Sequence, residues 1–316
     1  METERQKQRK EEFLKQQEFF RTNAVLIINE MVKMRKEEIE GTEAPSPASP
    51  LVDEFLHSIF FLGKINNPEF SPECILDDDD ILLKELKDKY PQPFVLCSSQ
   101  VPKRSPMSYV LNMIVNLMGQ ENEDTIIKRL RELTIKLKPG ETKHLVSSTV
   151  CVSQKNSDRY YGVSMSTSGP IPGRIMIAAS CLSTWDSNVA GAVMTYYPEN
   201  KEKTKKTYFD GTIKLPEEVR CQAFSLSDRK EMPPCRSCGN LFGLTTSENR
   251  EWPYGHCAEA ESLSNLFKKK DEEREQPQPE SDENRKMATE SVLKELIKLL
   301  NMQKFKWDRH FYTLQV

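Results

Sequence analysis

Two cysteines three residues apart stand directly after a proline pair in Pro233-Pro234-Cys235-Arg236-Ser237-Cys238, and this run constrains the chain more than any other. Proline is favoured at or just before the first turn of a helix, so both cysteines fall in one opening turn. An i, i+3 spacing puts the two sulfurs on one face, and the positive end of the helix lowers thiol pKa. The pair is therefore preorganised to bind a divalent metal as thiolates. A third cysteine enters a second helix start in Trp252-Pro253-Tyr254-Gly255-His256-Cys257-Ala258-Glu259-Ala260-Glu261-Ser262. A catalytic zinc site wants three protein ligands, an open position for water and a carboxylate beside that water to shuttle protons. Cys235, Cys238 and Cys257 supply the ligands and Glu259 the shuttle, so the expected ion is Zn2+. Two alternatives stay open: a closed structural site of Cys235, Cys238, His256 and Cys257, and no metal at all.

The rest of the composition fits a protein of the reducing compartments. Eight cysteines among 316 residues are too few and too unevenly spaced for a secreted disulfide scaffold. Met1 to Lys15 is densely charged where a secretory signal needs an apolar stretch, and no apolar run approaches the roughly 20 residues of a membrane span. The expectation is a cytoplasmic or nuclear protein with no membrane partner. With 45 Lys and Arg against 48 Asp and Glu, no global field draws the chain to nucleic acid, so any polyanion site has to be local.

Along the chain, residues 2 to 40 are strong helix formers with Phe13, Phe20, Leu26 and Met34 at helical spacing, and residues 41 to 50 hold three prolines. Residues 1 to 50 thus form a helical segment with a Pro-rich linker, whose long helices offer a surface for a protein partner. From 51 to 139 helical patterns dominate, as in Leu51, Phe55, Ile59 and in Ile126, Leu130, Leu133, Leu137. The Asp77 to Asp80 run lacks the spaced ligands and glycine of a calcium loop and reads as a helix start. From 140 to 270 the texture turns β-branched and aromatic, predicting strands at His144 to Val152, Tyr160 to Thr167, Arg174 to Ser180, Ala190 to Tyr197 and Arg220 to Leu226, with a turn at Ser168 to Gly173. Residues 271 to 285 are almost wholly polar and predicted disordered, and 286 to 316 carry a docking helix with Val292, Leu293, Leu296, Ile297 and Leu300 on one face.

At the two cysteine motifs the sequence resembles the cytidine deaminase superfamily, whose members pair a Cys-Ala-Glu or His-x-Glu helix start with a Pro-Cys-x-x-Cys helix start. Gly255-His256-Cys257-Ala258-Glu259 looks like its free-nucleoside branch. The resemblance covers about Tyr160 to Phe267, roughly a third of the chain. It implies an α/β fold in which a mixed sheet is flanked by helices, preceded here by the helical region and followed by the docking helix. It also implies a zinc-dependent hydrolytic deaminase, or a catalytically silent relative, acting on a nucleobase, nucleoside or nucleotide. Water activated on the metal attacks the ring carbon bearing the exocyclic amine, while a glutamate that is not a ligand moves the protons; Glu259 takes that place. The motif order is swapped: the family sets the glutamate motif first with a strand between, whereas here the cysteine pair leads and eighteen residues separate Cys238 from Cys257. An interaction protein with a structural zinc is the reading from another class.

The remaining candidates have plainer explanations. Cys97, Cys151, Cys181 and Cys221 lie in apolar or strand-like settings, where a free cysteine is usually a small core residue. His57 reads as a packed or surface residue, and His144 and His310 have no partner at metal spacing. Trp252 and Tyr254 can stack on a base or anchor their loop. Lys201 to Lys206 and Lys268 to Lys270 read as solvated turns, which leaves a polynucleotide below a free nucleoside or nucleotide as the substrate.

Overall fold

The computed structural model describes residues 4–40, 49–76, 79–137, 144–197, 213–269 and 282–314. Among these the chain is mixed α/β: helices α1 (Glu4–Glu40), α2 (Pro50–Lys64), α3 (Pro72–Leu76), α4 (Asp80–Lys89), α5 (Pro91–Leu96), α6 (Pro106–Met118) and α7 (Glu123–Lys136) precede strands β1 (Thr149–Lys155) and β2 (Asp158–Val163). Then come α8 (Pro170–Ser183), α9 (Ser187–Tyr196), β3 (Val219–Ser225), β4 (Glu231–Met232), α10 (Arg236–Phe242), α11 (Ala258–Lys269) and α12 (Asp282–Met302). No described helix is long and apolar enough to cross a membrane.

The helical region follows its apolar spacing. Phe20, Ala24, Ile27, Ile28, Met31 and Met34 of α1 recur every three or four residues and are all buried. Pro50 opens α2, whose Val52, Phe55, Leu56 and Ile59 join the same core. Asp79 accepts from Leu82 N at 2.9 Å and so caps α4, the helix start read from the acidic run. Most of the Pro-rich segment, Asp77, Asp78, the Lys201 to Lys206 stretch and residues 270–281 lie outside the described residues.

The sheet runs β2-β1-β3-β4 and is antiparallel at every pairing, not mixed as the resemblance implied. Alternation of side chains across the strand gives it two unlike faces. Val150 and Val152 are buried in the main hydrophobic cluster, while Cys151 packs with Ala258 of α11 and Ser153 Oγ lies 2.8 Å from Ser262 Oγ. Helix α11 crosses β1 and β2 on that second face. Gly162 permits this approach, because a Cβ there would come within 2.4 Å of Ala258 O and Ser262 N.

Two of the five predicted strands are helices. Arg174 to Ser180 falls within α8 and Ala190 to Tyr197 largely within α9. Both are buried nearly all round, Gly173 through Cys181 in one and Val189 through Thr195 in the other except for Arg174. A helix enclosed on every side has no polar stripe to reveal a 3.6-residue period, so a short apolar run reads as a strand. The Ser168 to Gly173 turn is the approach to α8, with Gly169 at the cap and Pro170 and Pro172 in the first turn. Asp186 accepts from Asn188 N at 2.9 Å and starts α9. At the C-terminus α12 packs on α8 and α9, with an Arg174–Glu295 ion pair of 2.6 Å, and begins at Asp282 inside the stretch predicted disordered.

Candidate metal centre

Both cysteine motifs begin helices. Cys235 is the residue before α10, in extended backbone, and Cys257 is the residue before α11. Between them the chain folds back on itself through hydrogen bonds that cross the loop. Arg236 N donates to Arg250 O at 3.0 Å, Ser237 Oγ to Trp252 O at 2.6 Å, and the Thr246 hydroxyl to Pro234 O. Asn240 Nδ2 donates to the Tyr254 hydroxyl at 2.8 Å, and the Tyr254 ring stacks on Tyr196 of α9 with centroids 4.0 Å apart. Tyr254 is thus a loop anchor. Trp252 remains 45% exposed with the Arg250 guanidinium 3.7 Å from its ring centre.

Gly255 makes the last bend at φ +86°, where a side chain would be strained and would also press within 3.0 Å of Ile177 and Val193. The two helices misread as strands therefore form the wall against which this loop turns. His256 O then accepts from Met165 N at 2.8 Å, fixing the entry to α11 beside the end of β2.

These constraints bring three sulfurs together. Cys235 Sγ lies 3.6 Å from Cys238 Sγ and 3.4 Å from Cys257 Sγ, and all three fall within 4.8 Å of one another. Zinc–sulfur bonds of about 2.3 Å in a tetrahedron place sulfurs about 3.8 Å apart, so the donor set fits such an ion with little rearrangement. A disulfide needs roughly 2.05 Å, and all three cysteines are free. The cluster can hold a metal ion. His256 is not part of it: its ring sits against Gly173 of α8, where an added Cβ would come within 2.9 Å of Cε1, and burial pushes its pKa down to about 4.

Hydrogen bonds shared with Cys238 and Cys257, helped by backbone N–H groups of the opening turn, hold the Cys235 pKa far below the ordinary cysteine range. The hydrogen bond with Cys235, joined by burial, moves Cys238 and Cys257 the opposite way and keeps their protons on. A divalent cation displaces such protons on binding. Glu259 in the first turn of α11 is 5% exposed. Burial, reinforced by the nearby Cys235 charge, pushes its carboxyl up to about 7, while its own backbone N–H and the Cys238 thiol pull the other way. It lies outside the converging donors.

Glu261, two residues further on, escaped the sequence reading although it ties α11 to β2 and to Arg104. Its Oε2 accepts from Val163 N at 3.0 Å on the edge strand, and its Oε1 meets Arg104 Nη2 at 3.4 Å. Asn265 Nδ2 also donates to Tyr161 O at 2.9 Å. The only clue in the sequence is a second glutamate on a helix start already rich in small residues. No protein-family model, curated protein or solved structure matches this chain.

Proposed function

We propose that Cys235, Cys238 and Cys257 hold Zn2+ and that the protein is a hydrolytic deaminase acting on a nucleobase, nucleoside or nucleotide. The observation that carries this reading is the convergence of three sulfurs, spaced as edges of one tetrahedron, beside a buried carboxylate that is not among the donors. Held by these three cysteines, zinc would supply Lewis-acid activation of water. The Glu259 carboxylate, two residues from Cys257, takes a proton from the attacking water and passes it to the ring nitrogen, then moves the proton of the added hydroxyl to the departing amine. Its burial keeps bulk water from competing for that proton. Gly255 and Gly162 hold the first turn of α11 in position for this work, and Glu261 ties it to β2.

A structural zinc in an interaction protein is the competing reading, and it draws on the complete burial of Cys238 and the closely bonded loop beneath it. The experiment that separates the two measures ammonia release from cytidine, deoxycytidine, adenosine, their nucleotides and single-stranded nucleic acid by zinc-loaded protein. The expected result is turnover on at least one substrate, with Glu259→Gln keeping its zinc while the rate falls about 10² to 10⁴-fold. Equal inertness of wild type and Glu259→Gln across that panel, with loss of metal in Cys235→Ser, identifies the zinc as structural.

A further inference from the structure

We propose that Cys151 and Cys221 are a dithiol that a hydroperoxide converts into a disulfide, a modification site distinct from the three sulfurs at the helix starts and independent of whether those hold metal. Their Sγ atoms lie 3.6 Å apart, and both are free. The register of β1 and β3 pairs Cys151 with Ala223 and Ser153 with Cys221, so the two cysteines are diagonal neighbours on the same face of the sheet. Closing the bond brings sulfurs from contact distance to about 2.05 Å and draws the two central strands together along that diagonal.

The two thiols differ in access, and the difference assigns their roles. Cys221 is partly exposed and is the sulfur a peroxide reaches first, whereas Cys151 is fully buried under Ala258. Ser153 Oγ lies 3.6 Å from Cys221 Sγ and 2.8 Å from Ser262 Oγ, a short hydroxyl chain beside the reacting sulfur. Cys221 sulfur attacks the distal peroxide oxygen and gives up its thiol proton; the O–O bond breaks, the alkoxide takes that proton and leaves as the alcohol, and Cys221 becomes a sulfenic acid. Cys151 sulfur then attacks Cys221 sulfur, the S–O bond breaks, and the departing hydroxide takes the Cys151 proton and leaves as water. Two thiols and one hydroperoxide thus give one disulfide, one alcohol and one water. Because Ala258 packs on Cys151 and Ala223, and stands between Cys257 and Glu259, the bond forms directly beneath the first turn of α11.

The test treats the full chain with hydrogen peroxide, blocks remaining thiols with N-ethylmaleimide in denaturant, and locates every modified cysteine by peptide mass spectrometry. The expected result is a Cys151–Cys221 linked peptide as the main oxidised form. In Cys151→Ser the linked peptide disappears and dimedone traps a sulfenic acid at Cys221; in Cys221→Ser, Cys151 is recovered as free thiol. Recovery of both as free thiols in wild type under conditions that oxidise other cysteines overturns the proposal, as does a Cys221 linked chiefly elsewhere. The same digest reads Cys235, Cys238 and Cys257 separately, so failure of the metal reading cannot be mistaken for failure of this one.

Discussion

The first turn of α11 and the middle of α2 both bury ionisable side chains, and they do so to different ends. In α2, Asp53 is 2% exposed and accepts from the Tyr312 hydroxyl at 2.5 Å, while His57 is fully buried with its ring stacked 3.7 Å from that of Tyr312. Burial pushes Asp53 up to about 6, with the Tyr312 hydrogen bond opposing, and pushes His57 down to about 3. These groups join the helical core to the C-terminal tail, which also bridges Phe311 to Val101. In α11, Glu259 is shifted as strongly, but it faces three convergent sulfurs. A perturbed carboxyl alone does not mark a site; its company does.

The comparison breaks first at the sulfurs. Cys257→Ser removes a ligand that a three-thiolate site cannot spare, so inductively coupled plasma mass spectrometry should find one zinc per wild-type chain and none retained by the variant after gel filtration. Tyr312→Phe, in contrast, should leave metal content untouched.

The next largest effect belongs to the glycine under α11. Gly162→Ala puts a methyl group into backbone atoms 2.4 Å away, and overpacking of this kind costs about 1–3 kcal/mol or more. Chemical denaturation should show that loss together with weaker zinc retention, whereas Gly169→Ala, strained at φ +153° but meeting nothing within 4 Å, should cost stability without weakening zinc retention.

The smallest effects sharpen the α2 side through pH. The folded pKa of His57 is depressed, so its neutral form contributes stability above the ordinary histidine pKa of 6.5, and that contribution is lost as pH falls from there toward 3. His57→Phe keeps a ring against Tyr312 and should flatten the acid limb of a stability-against-pH curve over that window. Asp53 has the opposite sign. Its folded pKa is raised, so its contribution is full below 3.8 and is lost as pH rises through about 6. Tyr312→Phe removes the one hydrogen bond that lowers Asp53, and should carry that decline to higher pH.

Much of this molecule was legible in its sequence wherever chemistry or amphipathic spacing left a mark. The proline pair and the i, i+3 cysteines announced α10, and Cys257-Ala258-Glu259 announced α11, because helix starts have local signatures that do not depend on the rest of the fold. Helices α1 and α7 were readable because each has a polar side, and α2 was readable from the spacing of Leu51, Phe55 and Ile59 although most of it is buried. Helices α8 and α9 were not, since enclosure erases the period, although Pro170, Pro172 and Asp186 were start signals that outweigh an apolar run once noticed. Gly162 acts through its contact with α11 and Glu261 through its contact with β2, each about a hundred residues away in the chain, information that no local pattern holds.

The eighteen residues between Cys238 and Cys257 give the metal reading a consequence of a different kind. An ion bound by both cysteines closes that segment into a ring, and closing a loop of this length restricts the unfolded chain by roughly 3 kcal/mol if the cross-link behaves as a disulfide would. The loop is also the segment that carries Trp252 and Arg250 and turns against α8 and α9. Zinc would then act as a clasp on the shape of this surface, so that the order of the motifs, pair first and single cysteine last, makes the presentation of the loop depend on metal supply.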